Sequence, residues 1–261
     1  MLLSSSTVVL LSLVSVSLFV FLVQLFSPHR FAVYRRSLGG ILATFLILSS
    51  YSTALNHVNF FNLLLSTIQS SFRLSSIFIP VFITSIPYFP DLIVYISQCV
   101  GTGKLKFINF LSFKSLYPLI LRNVVFAPIL EELSFRLPFL VIFNSKLITS
   151  RSFLIILSSV PFSVAHFHHF LFPLLRSFVF GGRYSPGMTL SSAFFQLCYT
   201  FIFGVYVSFV CFKYGIFGAI LTHSVANFGS IPSSFLLNKF YFFLFIICLS
   251  VWLLFVIYCL I

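Results

Sequence analysis

The chain has 261 residues, of which 60% are hydrophobic and 7% charged, with a net charge of +12 and a mean hydropathy of +1.14. That hydropathy excludes a water-soluble globule. The 15 Lys and Arg are scattered through short loops, without a basic stripe interleaved with stacking aromatics, so nucleic acid is excluded as a partner.

Apolar runs long enough to cross a hydrocarbon core recur along the chain, and their continuous rather than alternating apolarity selects helices over barrel strands. The expected fold is all-α: a polytopic integral membrane protein with about eight transmembrane helices, residues 1–261 forming a single transmembrane domain. The expected spans are 7–26, 38–55, 76–97, 117–143, 152–172, 190–212, 215–230 and 240–261. The first has no basic region ahead of it and no small-residue cleavage site, and reads as a retained span with signal-anchor character. Pro80, Pro87 and Pro90 crowd the third and should kink or interrupt it. "CVGTGKLKFINFLSFKS" and "FVFGGRYSPGMTLSS" are the longest polar connections and read as loops. The five cysteines show no CxxC pair and imply no disulfide framework. Alternate loops carry nine basic residues (Arg30, Arg35, Arg36, Lys104, Lys106, Lys114, Arg176, Arg183, Lys239) against four (Arg73, Lys146, Arg151, Lys213), which places the first set in the cytosol.

The chain holds only three acids. Asp91 follows Pro90 at an expected helix break and reads as a cap. Glu131 and Glu132 lie deep in the fourth span, where an ionised group costs at least about 2.5 to 3.5 kcal/mol. Glu132 and Arg136 are four residues apart, on one helix face, and can pair. Glu131 points about 100° away without that partner. A desolvated carboxylate lies nearer the working range of a general base, which makes Glu131 the candidate for proton transfer. The alternative is an ion-pair cluster that only fixes helix packing.

Two more spans carry polar side chains at helical spacing: Phe162 with His166 in "PFSVAHFHHF", and His223 with Asn227 in "LTHSVANF". His168 and His169 read as interfacial. A Glu, two His and an Asn from three spans allow a converging, water-filled site. Two chemistries fit it. Glu131 and His166 hold and deprotonate a water while His223 and Asn227 donate to an oxyanion, or Glu131, His166 and His223 bind zinc. No HExxH and no GxSxG supports a zinc or serine protease. A membrane scaffold of the same fold and a transporter with a midplane proton relay are the competing classes.

"EELSFR", "FSVAH" and "HSVAN" have the forms EExxxR, FxxxH and HxxxN, in order and on separate spans. With "LRNVVFAPILEELSFR", "AHFHH" and "SSAFFQLCYTFIFGVYVSF", they resemble the type II CAAX prenyl endopeptidases, the Ras-converting enzyme family of the CAAX protease and bacteriocin-processing group. The likeness covers residues 117–232. It implies an eight-helix protease of the endoplasmic reticulum membrane, its active site open to the cytosol, that removes the aaX tripeptide from farnesylated or geranylgeranylated CaaX proteins such as small GTPases. It further implies Glu131 and His166 as the water-activating pair, His223 and Asn227 as oxyanion donors, and Glu132, Arg136 and Phe162 as their support, with no metal and no cofactor. Membrane lipid suits such a substrate, because a prenyl chain partitions at about 0.8 kcal/mol per buried CH₂.

Overall fold

A computed structural model describes residues 32–54, 57–71, 74–102, 117–146, 148–167, 190–229 and 236–260, together with Thr7 and Val14. Of the first expected span, 7–26, only Thr7 and Val14 are described; the two long polar connections are described only at their ends, 99–102 and 190–192, which belong to helices and not to loops, and His168 and His169 lie outside the described residues. Among the described residues the chain is helical and contains no strand. The helices are α1 (Ala32–Ala54), α2 (His57–Ser70), α3 (Leu74–Ser85), α4 (Phe89–Thr102), α5 (Ala127–Phe135), α6 (Leu137–Asn144), α7 (Arg151–His166), α8 (Leu190–Tyr214), α9 (Ile216–Gly229) and α10 (Lys239–Leu260). Ile77–Gly101, Leu190–Tyr214 and Lys239–Tyr258 are long and apolar enough to cross a membrane, and Leu38–Thr53, Arg151–His166 and Ile216–Gly229 are shorter apolar helices.

The interruptions follow the prolines. The third span is broken by a 3₁₀ turn at Ile86–Tyr88 with Pro87 at its start, while Pro80 sits inside α3. Asp91 lies in the first turn of α4, where an acid meets the positive end of the helix dipole. The fourth span is built in pieces: a π-helix at Leu121–Phe126, then α5, then α6, which opens with Pro138. The joint between α5 and α6 falls on Arg136, whose backbone has φ −119° and ψ −44°. Its amide still bonds the Glu132 carbonyl at 3.0 Å, so the bend does not release the pair of side chains stacked above it.

Helix α2 was not foreseen. Its His57, Asn59, Asn62, Ser66, Thr67, Gln69 and Ser70 dilute its apolar face below the hydropathy of a span. It folds back after α1 and packs on α6, with Asn144 Nδ2 donating to Thr67 Oγ1 at 2.7 Å. At 14 residues it is about 21 Å long. Counting it as a crossing divides the same basic residues seven to six, so they alone do not fix the orientation.

The core that positions the site lies between α7, α8 and α9. Helices α7 and α8 make the most extensive pairing, and α9 packs against α3, α8, α5 and the π-helix. The α8–α9 turn is closed by Gly215 at φ +89°, a conformation available to glycine without a Cβ clash. There the Ile216 amide donates to Ser71 Oγ at 3.3 Å. Close approach of α8 to α7 depends on Gly204: a Cβ there would lie 3.2 Å from Phe162 Cδ1 and 3.3 Å from Ser159 Cβ. Phe162 cannot retreat, because it is fully buried between Phe135, Phe203 and the Arg136 guanidinium. Gly204→Ala should therefore cost about 1 to 3 kcal/mol of stability as an overpacked core does, read as a lower thermal midpoint of the purified protein.

Candidate active site

Helix α5 is a short apolar helix, so its two adjacent glutamates must leave it in different directions. Glu132 is completely buried and meets Arg136 one turn on, Nη1 to Oε1 at 3.0 Å. Arg136 is also completely buried. Its guanidinium carbon lies 3.8 Å from the centroid of the Phe162 ring, and its Nε donates to Ser208 Oγ at 3.4 Å. Ser208 in turn shares hydrogen bonds with Ser158 at 2.9 Å and Ser159 at 3.3 Å. A cation so deep is tolerable only with such compensation, since a buried charge without partners costs several kcal/mol.

His223, from α9, stands between the two carboxylates. Its Nδ1 is 2.7 Å from Glu132 Oε1 and its Nε2 is 3.7 Å from Glu131 Oε2. A carboxylate accepts, so Nδ1 carries a proton and donates it to Glu132. The ring is edge-on to Phe162 and Phe203, with centroids 5.8 Å and 5.3 Å away, which fixes its plane. Glu131 Oε2 itself has no hydrogen-bond partner among the described residues and is shielded from solvent.

His166, at the end of α7, closes back on its own helix: Nδ1 lies 2.8 Å from the Phe162 carbonyl. A carbonyl can only accept, so in the neutral ring the lone pair is on Nε2, the nitrogen left for other partners. Asn227 Nδ2 donates to the backbone carbonyl of Asn123 in the π-helix at 2.9 Å. A cavity of about 470 Å³ has Phe162, His166, His223 and Asn227 in its wall, with Gln196 and Tyr199 from α8.

The structure thus gathers Glu131, Glu132, His223 and Arg136 into one connected cluster and sets His166 and Asn227 beside His223 on the cavity wall. The Glu132–Arg136 pair stands as the helical spacing predicts. Glu131 lacks the Arg136 partner, as that spacing also predicts, and the group facing it is His223. Phe162 serves as the plate over which the Arg136 guanidinium lies and against which the His166 and His223 rings pack edge-on. Sequence reasoning missed Asn123 and Ser208. Neither belongs to the three short motifs, although both lie in the longer stretches that carry the resemblance, and the contact of each with the site spans many residues of sequence. Among the described residues no three His, Cys, Asp or Glu side chains come together as a set of metal ligands, so the zinc alternative on Glu131, His166 and His223 finds no ready-made site.

Residues 113–229 match the family described as type II CAAX prenyl endopeptidase Rce1-like, a stretch that contains all three motifs and the whole cluster. CAAX prenyl protease 2 from Homo sapiens is 34% identical over 114 residues, 43% of this chain. The match spans 32% of that relative's length, about a third. No solved structure matches the chain. The likeness to the type II CAAX prenyl endopeptidases that the motifs carry is thereby supported independently of the fold.

Proposed function

We propose, from the premise that residues 113–229 are similar to the Rce1-like prenyl endopeptidases, that this protein is an intramembrane peptide hydrolase that removes the aaX tripeptide from prenylated CaaX proteins. The observation that carries the reading is Glu131: its Oε2 is shielded from solvent, without a hydrogen bond among the described residues, and held 3.7 Å from the Nε2 of His223, which lines the cavity. A polar contact of that length is the kind a water bridges.

In the reaction Glu131 takes a proton from this water, whose other O–H bonds His166 Nε2. The water oxygen adds to the carbonyl carbon that follows the prenylated cysteine, and negative charge grows on the carbonyl oxygen. Asn227 donates to that oxygen through Nδ2, and His223 does so through Nε2 in its imidazolium form, which carries a proton on each ring nitrogen. Glu131 then returns its proton to the departing amine as the C–N bond breaks, releasing the tripeptide. Glu132 holds the imidazole of His223 in one orientation, Arg136 balances Glu132, and Phe162 sets the planes of both His rings. The substrates are farnesylated or geranylgeranylated CaaX proteins, small GTPases among them, presented at the endoplasmic reticulum membrane from the cytosolic side. Their prenyl chain lies in lipid and brings the scissile bond to the bilayer.

The test is cleavage of a farnesylated CaaX peptide by the purified protein in lipid nanodiscs, with the unprenylated peptide in parallel. Tripeptide release from the prenylated peptide alone, undiminished by chelator, is expected. Loss of activity in chelator with recovery on adding zinc overturns the metal-free reaction. No release from a folded protein, across several aaX sequences and both prenyl lengths, leaves a non-catalytic membrane scaffold.

A further inference from the structure

We infer that Pro128 is a positioning residue for Asn227, acting through the backbone carbonyl of Asn123. This rests on the hydrolase reading, in which Asn227 donates to the oxyanion. The π-helix Leu121–Phe126 ends with the Ala127 amide bonded to the Arg122 carbonyl, five residues back. The next bond of that register would run from residue 128 to the Asn123 carbonyl. Residue 128 is proline and has no N–H to give. The Asn123 carbonyl is thereby left for another donor, and Asn227 Nδ2 reaches it at 2.9 Å from across the helix pair.

The contact is with the main chain of Asn123, since its side-chain Oδ1 already accepts from Arg122 Nε at 2.8 Å. A carbonyl can only accept, so it selects the nitrogen end of the Asn227 carboxamide. One of the two Nδ2 protons is held there, and the other is left for the cavity that Asn227 lines. Without this anchor the carboxamide turns freely, and half of its orientations present an oxygen that would repel the oxyanion. A donor fixed in advance is the kind that stabilises developing charge at no cost of reorganisation. A proline three residues before Glu131 thus has a role beyond ending the π-helix.

Alanine at 128 supplies an amide that competes for this carbonyl. In ¹⁵N-asparagine-labelled protein in nanodiscs, the side-chain resonance of Asn227, identified by its loss in Asn227→Asp, should move toward the free-amide position in Pro128→Ala. On a prenylated CaaX peptide the same variant should lose roughly ten-fold in kcat, the scale of one oriented hydrogen bond, with KM changed less than about two-fold. Asn123→Ala keeps the carbonyl and should leave the Asn227 resonance in place. If Pro128→Ala fails to fold, an ester replacing the amide between Asn123 and Val124 weakens the same carbonyl and should give the same two results. An Asn227 resonance that does not move overturns the anchoring. A resonance that moves while kcat stays unchanged overturns the positioning role. A wild-type protein that cleaves no prenylated peptide overturns the hydrolase reading, and the resonance then still decides the anchoring alone.

Discussion

Glu131→Ala should lower tripeptide release by about 10²-fold or more while leaving the protein folded, the scale on which a positioned general base acts. The expectation of an intact fold comes from the geometry. Among the described residues Glu131 makes one ionic contact within 4 Å, to His223 Nε2 at 3.7 Å, beyond a hydrogen bond, and its Oε2 makes no hydrogen bond. Removing it strands no buried cation, because Arg136 is balanced by Glu132. Glu131→Gln keeps the size and loses the charge, and should fall as far in kcat. Release from a farnesylated peptide, measured beside the elution profile and thermal midpoint of each variant, checks both halves. If instead Glu131→Ala aggregates and the few folded molecules cleave normally, the carboxylate is a packing element and Glu131 is not the base.

How much of this was legible in the sequence differs between elements. The later helices were, because α8, α9 and α10 carry uninterrupted apolar runs bounded by Gly, Tyr and Lys, and their observed limits fall within a few residues of those expected. The break in the third span was legible from Pro80, Pro87 and Pro90. Helix α2 was not, because a helix that packs its polar residues against a neighbour shows no span-level hydropathy. Within the site, the Glu132–Arg136 pair could be read from a spacing of four, because both residues lie on one helix. The placement of His223 between two carboxylates could not, since it depends on how α9 crosses α5, and no local pattern encodes a crossing. The same holds for Ser208 beneath Arg136 and for the Asn123 carbonyl. The π-helix had one partial signal, Pro128, which forbids a regular hydrogen-bond ladder at its end without saying which irregular one replaces it.

Arg136→Leu should destabilise the fold by about 3 to 5 kcal/mol, the cost of leaving one member of a buried ion pair without the other. Glu132 is wholly buried, and with Arg136 gone the His223 Nδ1 bond is the one its carboxylate keeps among the described residues. The leucine also removes the group that lies over the Phe162 ring, so the plate against which both His rings rest loses its backing. A second substitution separates charge from packing. Glu132→Gln in the Arg136→Leu background removes the stranded charge and keeps an amide oxygen for the His223 Nδ1 proton. The double variant should therefore recover most of the lost stability, since a buried ion pair contributes little net once both charges are gone. Its activity should not recover in step. A neutral amide holds the imidazole less firmly than a carboxylate does, because hydrogen bonds to charged groups are roughly twice as strong, so kcat should stay about ten-fold or more below wild type. Thermal midpoints of the two variants against wild type, with kcat on one prenylated peptide, distinguish the outcomes. A double variant no more stable than Arg136→Leu would mean that the guanidinium acts through its contacts with Phe162 and Ser208, not through its charge.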